Sequence, residues 1–322
     1  MRFGALAAAG ALLALLALLA GCQAPAPAAA WSDPAPSAPS PAASSAAPAS
    51  PSPSPSAVAS APVVVPAGMT AGIAVFDRQA GTFVVQQHTT TRFRSASLVK
   101  LLIVLDYLWN RGPGYAIVAA DRSRLDIMLR SSDDDAASYF WKAGGADQIV
   151  SRMVARLALK DTTPPSAVAR TGWGTTGLSA ADVVRIYRYL LDSAPAPVRD
   201  YVIGNLHQST PCGTDRYNQT FGIPSAFTRP WAAKQGWHGF GDIPANPCTA
   251  GAAARPSGAP APVTVGILDG AVLHTTGTVG GGDRSIVVVL TQHRTGTPFS
   301  QAVAELTRLI RSLPVPGGVP AG

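Results

Sequence analysis

The sequence predicts an α+β fold built on a single antiparallel sheet. Two observations carry this: strand-like segments stand near both ends of the folded region, and the stretch between them is a block of helical patterns. Strands and helices segregated in this way argue against a parallel βαβ winding. Neither strand group has enough members to be stable alone, so both must share one sheet. The helical block then becomes a subdomain inserted between them.

The chain begins with a segment that is not part of that fold. Arg2 supplies a short positive region, and Ala5 to Ala20 is almost entirely Ala and Leu. This is the pattern of an export signal, too short for a mature membrane span. It ends in Leu19-Ala20-Gly21-Cys22, which resembles a bacterial lipobox. The resemblance implies a lipid on Cys22 and export to the outer face of the cell membrane. Residues 1–22 are thus predicted to be a lipoprotein signal peptide. Residues 23–65 are nearly all Ala, Pro and Ser. They cannot bury enough apolar surface to offset chain entropy and are predicted to be a disordered tether.

The folded domain is expected over residues 66–313, followed by a loose tail at 314–322. Residues 71–77 and 82–86 alternate as two strands around a short turn. A strongly apolar helix runs from Ser97 to Asn110 and stops at Gly112-Pro113-Gly114. Helices are expected at 122–131, 134–143 and 146–158, then a Thr/Pro/Gly-rich loop from Asp161 to Gly177. Ser179 and Asp182 form a capping-box variant opening a helix to Asp192, and another helix spans 196–207. Strands return at 231–237, 263–267, 271–279 and 284–292, and an amphipathic helix closes the domain at 300–312.

A net charge of +7 is modest for 322 residues, and no run of Lys and Arg marks a nucleic-acid surface. The five histidines show no ligand spacing, so neither a metal nor any other cofactor is predicted. With Cys22 assigned to lipid, Cys212 and Cys248 remain as an even pair in an oxidising compartment, and a disulfide is expected.

Three motifs carry chemistry. Ser97-Leu98-Val99-Lys100 opens the apolar helix, where residues three apart share a face and the amine reaches the hydroxyl. A serine hydroxyl is a weak nucleophile until a base takes its proton. Helix-start N–H groups also favour a developing oxyanion. Ser131-Ser132-Asp133-Asp134-Asp135 sets three carboxylates in a row on a mainly uncharged chain. Lys234-Gln235-Gly236-Trp237 lies on an expected strand.

Their order resembles the S-x-x-K, S-D-N and K-T-G motifs of the penicillin-recognising serine enzymes, the β-lactamase and D,D-peptidase superfamily. The resemblance implies a β-lactamase/transpeptidase-like fold: a five-stranded antiparallel sheet flanked by terminal helices, with the helical subdomain inserted. It implies Ser97 as nucleophile, Lys100 as its base, and Ser132 and Lys234 as a proton relay. Trp237 and Ser97 would offer the oxyanion-hole amides, with Asp134, Gln235 and Gly236 lining the substrate side. The implied substrate is a peptidoglycan-derived or β-lactam-like small molecule.

The chain departs from the family at several points. Asp134 stands where the family has Asn, and Gln235 where it has Thr or Ser. Ser97 to Ser132 spans only 35 residues, short for the family. Residues 239–262 form an insertion rich in Pro, Ala and Gly. Class A β-lactamases hydrolyse their acyl-enzyme with a loop Glu, whereas the one Glu here is Glu305 on the last helix. Asp161 lies in a loop of about the right place, but a turn residue after a helix is the simpler role for it. The expectation is therefore an acyl-transfer enzyme of peptidase, esterase or slow penicillin-binding character. The alternative is a non-catalytic lipoprotein that keeps the fold and binds a cell-wall fragment or a protein.

Overall fold

The computed structural model describes residues 62–166, 172–241, 244–249 and 270–322. The signal segment with Cys22, the tether up to residue 61 and the strand expected at 263–267 lie outside the described residues. So does most of the insertion expected at 239–262.

The strands are β1 (Met69–Asp77), β2 (Thr82–Gln87), β3 (Arg92–Arg94), β4 (Gly177–Ser179), β5 (Trp231–His238), β6 (Ala271–Val279) and β7 (Ser285–His293). The helices are α1 (Lys100–Trp109), α2 (Ala119–Arg130), α3 (Asp134–Ala143), α4 (Gln148–Leu157), α5 (Ala180–Arg188), α6 (Ala196–His207), α7 (Ile223–Ala226) and α8 (Phe299–Arg311). Five strands make one antiparallel sheet in the order β2-β1-β7-β6-β5. The N-terminal and C-terminal strands share this sheet through the pairing of β1 with β7, which aligns Ile73 with Val289.

The central strand shows why the sheet sits between two layers. Successive side chains of a strand point to opposite faces. On β7, Ile286, Val288 and Leu290 pack into the layer of α1 to α6, while Val287 and Val289 pack against α7 and α8. β1 divides in the same way, with Ala74 and Phe76 on the first face and Ile73 and Val75 on the second. A run of β-branched residues with no polar alternation is what burial on both faces requires.

Helix α1 is apolar nearly all round and forms the centre of the helical layer. Its one buried acid, Asp106, is paired with Arg152 at 2.7 Å and Arg156 at 3.0 Å, which ties α1 to α4. Asp133 caps α3 by accepting from the Ala136 N–H at 2.7 Å. Ser179 caps α5 by accepting from the Asp182 N–H at 3.1 Å.

Three features differ from the sequence expectation. The pair β3–β4 was not expected; each strand is three residues long, too short for alternation to register. Of the terminal helices, α8 covers the second face, but among the described residues no helix precedes β1, and Val63 and Val65 pack there instead. The tail at 314–322 is not loose. The Ala321 N–H donates to the Ala226 carbonyl at 2.9 Å, the Thr228 N–H to Val319 at 2.8 Å, and Ser285 Oγ to Pro316 at 2.7 Å. Its Pro/Gly composition offers little side chain to bury, so its anchorage rests on the backbone, which composition does not reveal.

Candidate active site

Ser97 lies in a 3₁₀ turn, Ala96–Val99, that leads directly into α1. Ala96 adopts a left-handed backbone with φ of 45°. Such a conformation in a non-glycine residue costs energy and persists only where its surroundings impose it. Here the imposition comes from both sides. The Ser95 N–H donates to the Thr176 carbonyl at 2.7 Å. His274 Nδ1 accepts from the Thr291 N–H at 3.1 Å, so its proton sits on Nε2 and is donated to the Arg94 carbonyl at 2.8 Å. Burial pushes the His274 pKa down to about 4, which keeps this arrangement neutral.

Ser132 is the second left-handed residue at the site, with φ of 57°, in the turn between α2 and α3. This conformation brings both its carbonyl and its hydroxyl to the Lys100 amine. Lys100 Nζ donates to Ser97 Oγ at 2.8 Å, to the Ser132 carbonyl at 2.6 Å and to Asp134 Oδ1 at 2.6 Å, with Ser132 Oγ farther off at 3.4 Å. The indole of Trp173 lies against the same amine, 4.8 Å from Nζ to the ring centre. Trp173 is held there by its own N–H donating to Ser138 Oγ at 3.1 Å.

Lys234 reaches the same point from the edge strand β5. Its Nζ donates to Ser132 Oγ at 2.7 Å and is otherwise buried, with the Gln235 carbonyl at 3.4 Å. Burial pushes the Lys234 pKa well below the ordinary lysine range, and the neighbouring Lys100 charge acts in the same direction against Asp134 and Asp215. Strand β5 is locked by Thr276 Oγ1, which donates to the Lys234 carbonyl at 2.8 Å. Ser97, Lys100, Ser132, Asp134 and Lys234 therefore converge.

The remaining residues expected at the site divide along the strand. Gly236 passes close to the serine turn: a Cβ there would come 3.1 Å from the Ser95 carbonyl and 3.3 Å from Leu98. Gln235 points to the face opposite Lys234, as alternation demands. Its amide donates to the carbonyls of Phe221 at 2.6 Å and Gln219 at 3.2 Å. Trp237 donates from its indole to Asp215 Oδ2 at 2.8 Å. Burial pushes the Asp215 carboxyl up, opposed by the Tyr217 N–H and the Trp237 indole.

Sequence reasoning missed the strap that joins the second and third motifs. Residues 210–222, between α6 and α7 in the chain, lie against the end of α2 on one side and β5 on the other. Thr214 donates its N–H to the Ser131 carbonyl at 2.9 Å, and Gln219 donates its side chain to the Arg130 carbonyl at 2.7 Å. Gly213 leaves room for Trp237, since a Cβ there would fall 2.9 Å from the indole. The disulfide between Cys212 and Cys248 fastens the strap, with Cα atoms 5.7 Å apart. The cysteine pair was the one sequence signal for it. Trp173, Asp215 and Gln219 carried none.

Asp161 is turned to structural work. Its carboxylate accepts from Ser179 Oγ at 2.9 Å. The buried Asp182 holds the same turn, accepting from Lys160 N at 2.9 Å, Asp161 N at 2.7 Å and Thr162 Oγ1 at 2.8 Å. An apolar groove of about 490 Å³ between residues 62–66 and α8 contains none of the residues above.

No family model matches the sequence. The chain is 39% identical over 175 residues to the "Putative lipoprotein LppW" of Mycobacterium tuberculosis and of Mycobacterium bovis, a match covering 53% of this chain and 54% of the relative. The match thus spans about half the length of these curated relatives. Among solved structures, a class A β-lactamase from Mycobacterium abscessus superposes with a TM-score of 0.52 at 16% identity, covering 76% of this chain and 92% of that one. An acyl-enzyme complex of a PBP-A mutant with penicillin G gives a TM-score of 0.54 at 12% identity, covering 76% and 89%. The chain therefore has the fold of the class A β-lactamases and penicillin-binding proteins, and over about half of its length it is homologous to the mycobacterial protein named "Putative lipoprotein LppW".

Proposed function

We propose that this protein is a cell-envelope serine hydrolase that forms an acyl-enzyme on Ser97, tethered to the membrane by a lipid on Cys22. The observation that carries the reading is the hydrogen-bonded chain Ser97–Lys100–Ser132–Lys234, assembled from three separate segments. In this reading Lys100 acts in its uncharged form and takes the proton of Ser97 Oγ as that oxygen attacks an acyl carbon. Ser132, held by Lys234, returns a proton to the leaving group. Backbone N–H groups of Ser97 and Trp237 receive the developing oxyanion. The substrate is a small peptidoglycan-derived or β-lactam-like acyl donor. The homology to a lipoprotein supports the anchor and the export.

A second reading, a non-catalytic lipoprotein that binds a cell-wall fragment or a partner, is favoured by one contact. Asp134 lies 2.6 Å from the Lys100 amine, where it competes with Ser97 for the base. Treating the purified domain with a fluorophosphonate and with fluorescent penicillin, then locating the adduct by mass spectrometry, separates the two. A Ser97 adduct that disappears in Ser97→Ala supports the enzyme. A folded domain that no serine-directed probe labels supports the binding protein.

A further inference from the structure

Asp134 is the charged group of the cleft with a free side. Its Oδ1 lies 2.6 Å from Lys100 Nζ, and that amine lies 2.8 Å from Ser97 Oγ, so the carboxylate stands two short contacts from the nucleophile. The side chain is 45% exposed, whereas its Lys100 partner is fully buried. Among the described residues Oδ2 of Asp134 accepts no hydrogen bond. The Trp173 indole lies over the Lys100 amine, 4.8 Å from Nζ to the ring centre, so that amine is held between the ring and the carboxylate. A half-exposed carboxylate with one oxygen still open is the chemistry that receives a second, solvent-borne cation.

The groups that would instead welcome an anion are occupied. Lys100 is paired with Asp134, and Lys234 is buried against Ser132. The Gln235 amide donates to the loop carbonyls of Gln219 and Phe221 on the opposite face of β5. The Trp237 indole N–H donates to a second carboxylate, Asp215.

We infer that the cleft selects acyl donors bearing a cationic group, an ammonium or amidinium, a few Å from the reacting carbonyl, and that Asp134 is the residue that reads it. This rests on the proposed hydrolase reading for turnover, but not for binding. In the reaction Ser97 Oγ forms an ester to the acyl carbon, the bond from that carbon to the leaving oxygen or nitrogen breaks, and the serine proton passes through Lys100 to the leaving group.

The test uses three 4-nitrophenyl benzoates of similar shape: 4-guanidinobenzoate, 4-methylbenzoate and the anionic 4-carboxybenzoate. The cationic ester should acylate Ser97 at least fivefold faster than the neutral one, with the anionic ester slowest. In Asp134→Asn the ratio between cationic and neutral esters should collapse toward one, whatever happens to the absolute rate. A flat ranking, a preferred anion, or an undiminished ratio in Asp134→Asn overturns the inference while leaving Ser97 chemistry standing. Binding of benzamidinium, benzamide and benzoate to Ser97→Ala, followed by NMR titration, gives the answer without turnover. Benzamidinium should bind at least fivefold tighter than benzamide and lose that margin in Ser97→Ala/Asp134→Asn. Equal binding of the three overturns the inference even if no probe ever labels Ser97, and the absence of label with a retained cation preference sinks only the hydrolase reading.

Discussion

Lys234 Nζ donates to Ser132 Oγ at 2.7 Å across a separation of 102 residues. Neither residue could be placed beside the other by local structure. Ser132 sits in a left-handed turn after α2, Lys234 on the edge of the sheet, and the strap at 210–222 spans the gap between them. Burial disfavours the charged form of Lys234, and its amine is bonded to a neutral hydroxyl rather than to a carboxylate.

In the proposed reaction, removing the hydroxyl should interrupt proton return to the leaving group. Ser132→Ala is expected to slow fluorophosphonate labelling of Ser97 by roughly 10²–10⁴, the usual contribution of a positioned acid–base group. Label kinetics followed by intact-protein mass spectrometry will measure it. Unchanged kinetics would remove Ser132 from the mechanism.

The acyl-enzyme, once formed, should persist. Hydrolysis needs a group that positions water, and the Asp161 carboxylate is bound to Ser179 Oγ instead. A β-lactam that reacts with Ser97 should remain attached much longer than on a true β-lactamase, and Asp161→Asn should alter its release little. Rapid turnover that depends on Asp161 contradicts this.

Asp182 should matter more for stability than for chemistry. It is buried and accepts from three groups in the turn 160–162 as well as pairing with Arg185 at 2.7 Å. Asp182→Ala leaves those donors without a partner and should cost on the order of 3 kcal/mol. Urea unfolding monitored by tryptophan fluorescence provides the measurement, and a loss under about 1 kcal/mol would show that water replaces the carboxylate.

Acid should destabilise the fold through His274. Its folded pKa is lowered from 6.5 to about 4 by burial. Between those values the unfolded chain binds a proton that the folded chain does not, so stability rises with pH across that window. The contribution is fully present above the unfolded value and is lost as pH falls toward 4, amounting to roughly 3 kcal/mol at most. His207 acts with the opposite sign. Its hydrogen bond to Asp283 raises its pKa, so its stabilisation is present at low pH and lost as pH rises through the folded value. Unfolding midpoints between about pH 4 and 7 should show a slope that flattens in His274→Gln; an unaltered slope would assign the acid sensitivity elsewhere.

The elements of the fold were legible because their patterns are local. The unbroken apolar run of β7 announces a strand buried on both faces, and the apolar sides of α1 announce a central helix. The Ser-x-x-Lys pair is legible for the same reason, since one helical turn places Lys100 on Ser97 without help from the rest of the chain. The pairing of Cys212 with Cys248 was legible from their even count and the export signal the sequence predicts. What the sequence left open was most of the side-chain contacts made across the fold. For Asp161 the sequence favoured a turn role, but its partner, Ser179, is given by the fold alone. Gln235 sits in a motif to which the family resemblance gives a substrate role, yet strand alternation and the carbonyls of the strap draw its amide to the opposite face. Trp173 and Asp215 join the cleft from segments that carry no local signal at all. Local geometry is set by residues a few positions apart, whereas a site's charges and hydrogen bonds depend on which distant backbones the packed core brings within 3 Å, and that is decided by tertiary structure alone.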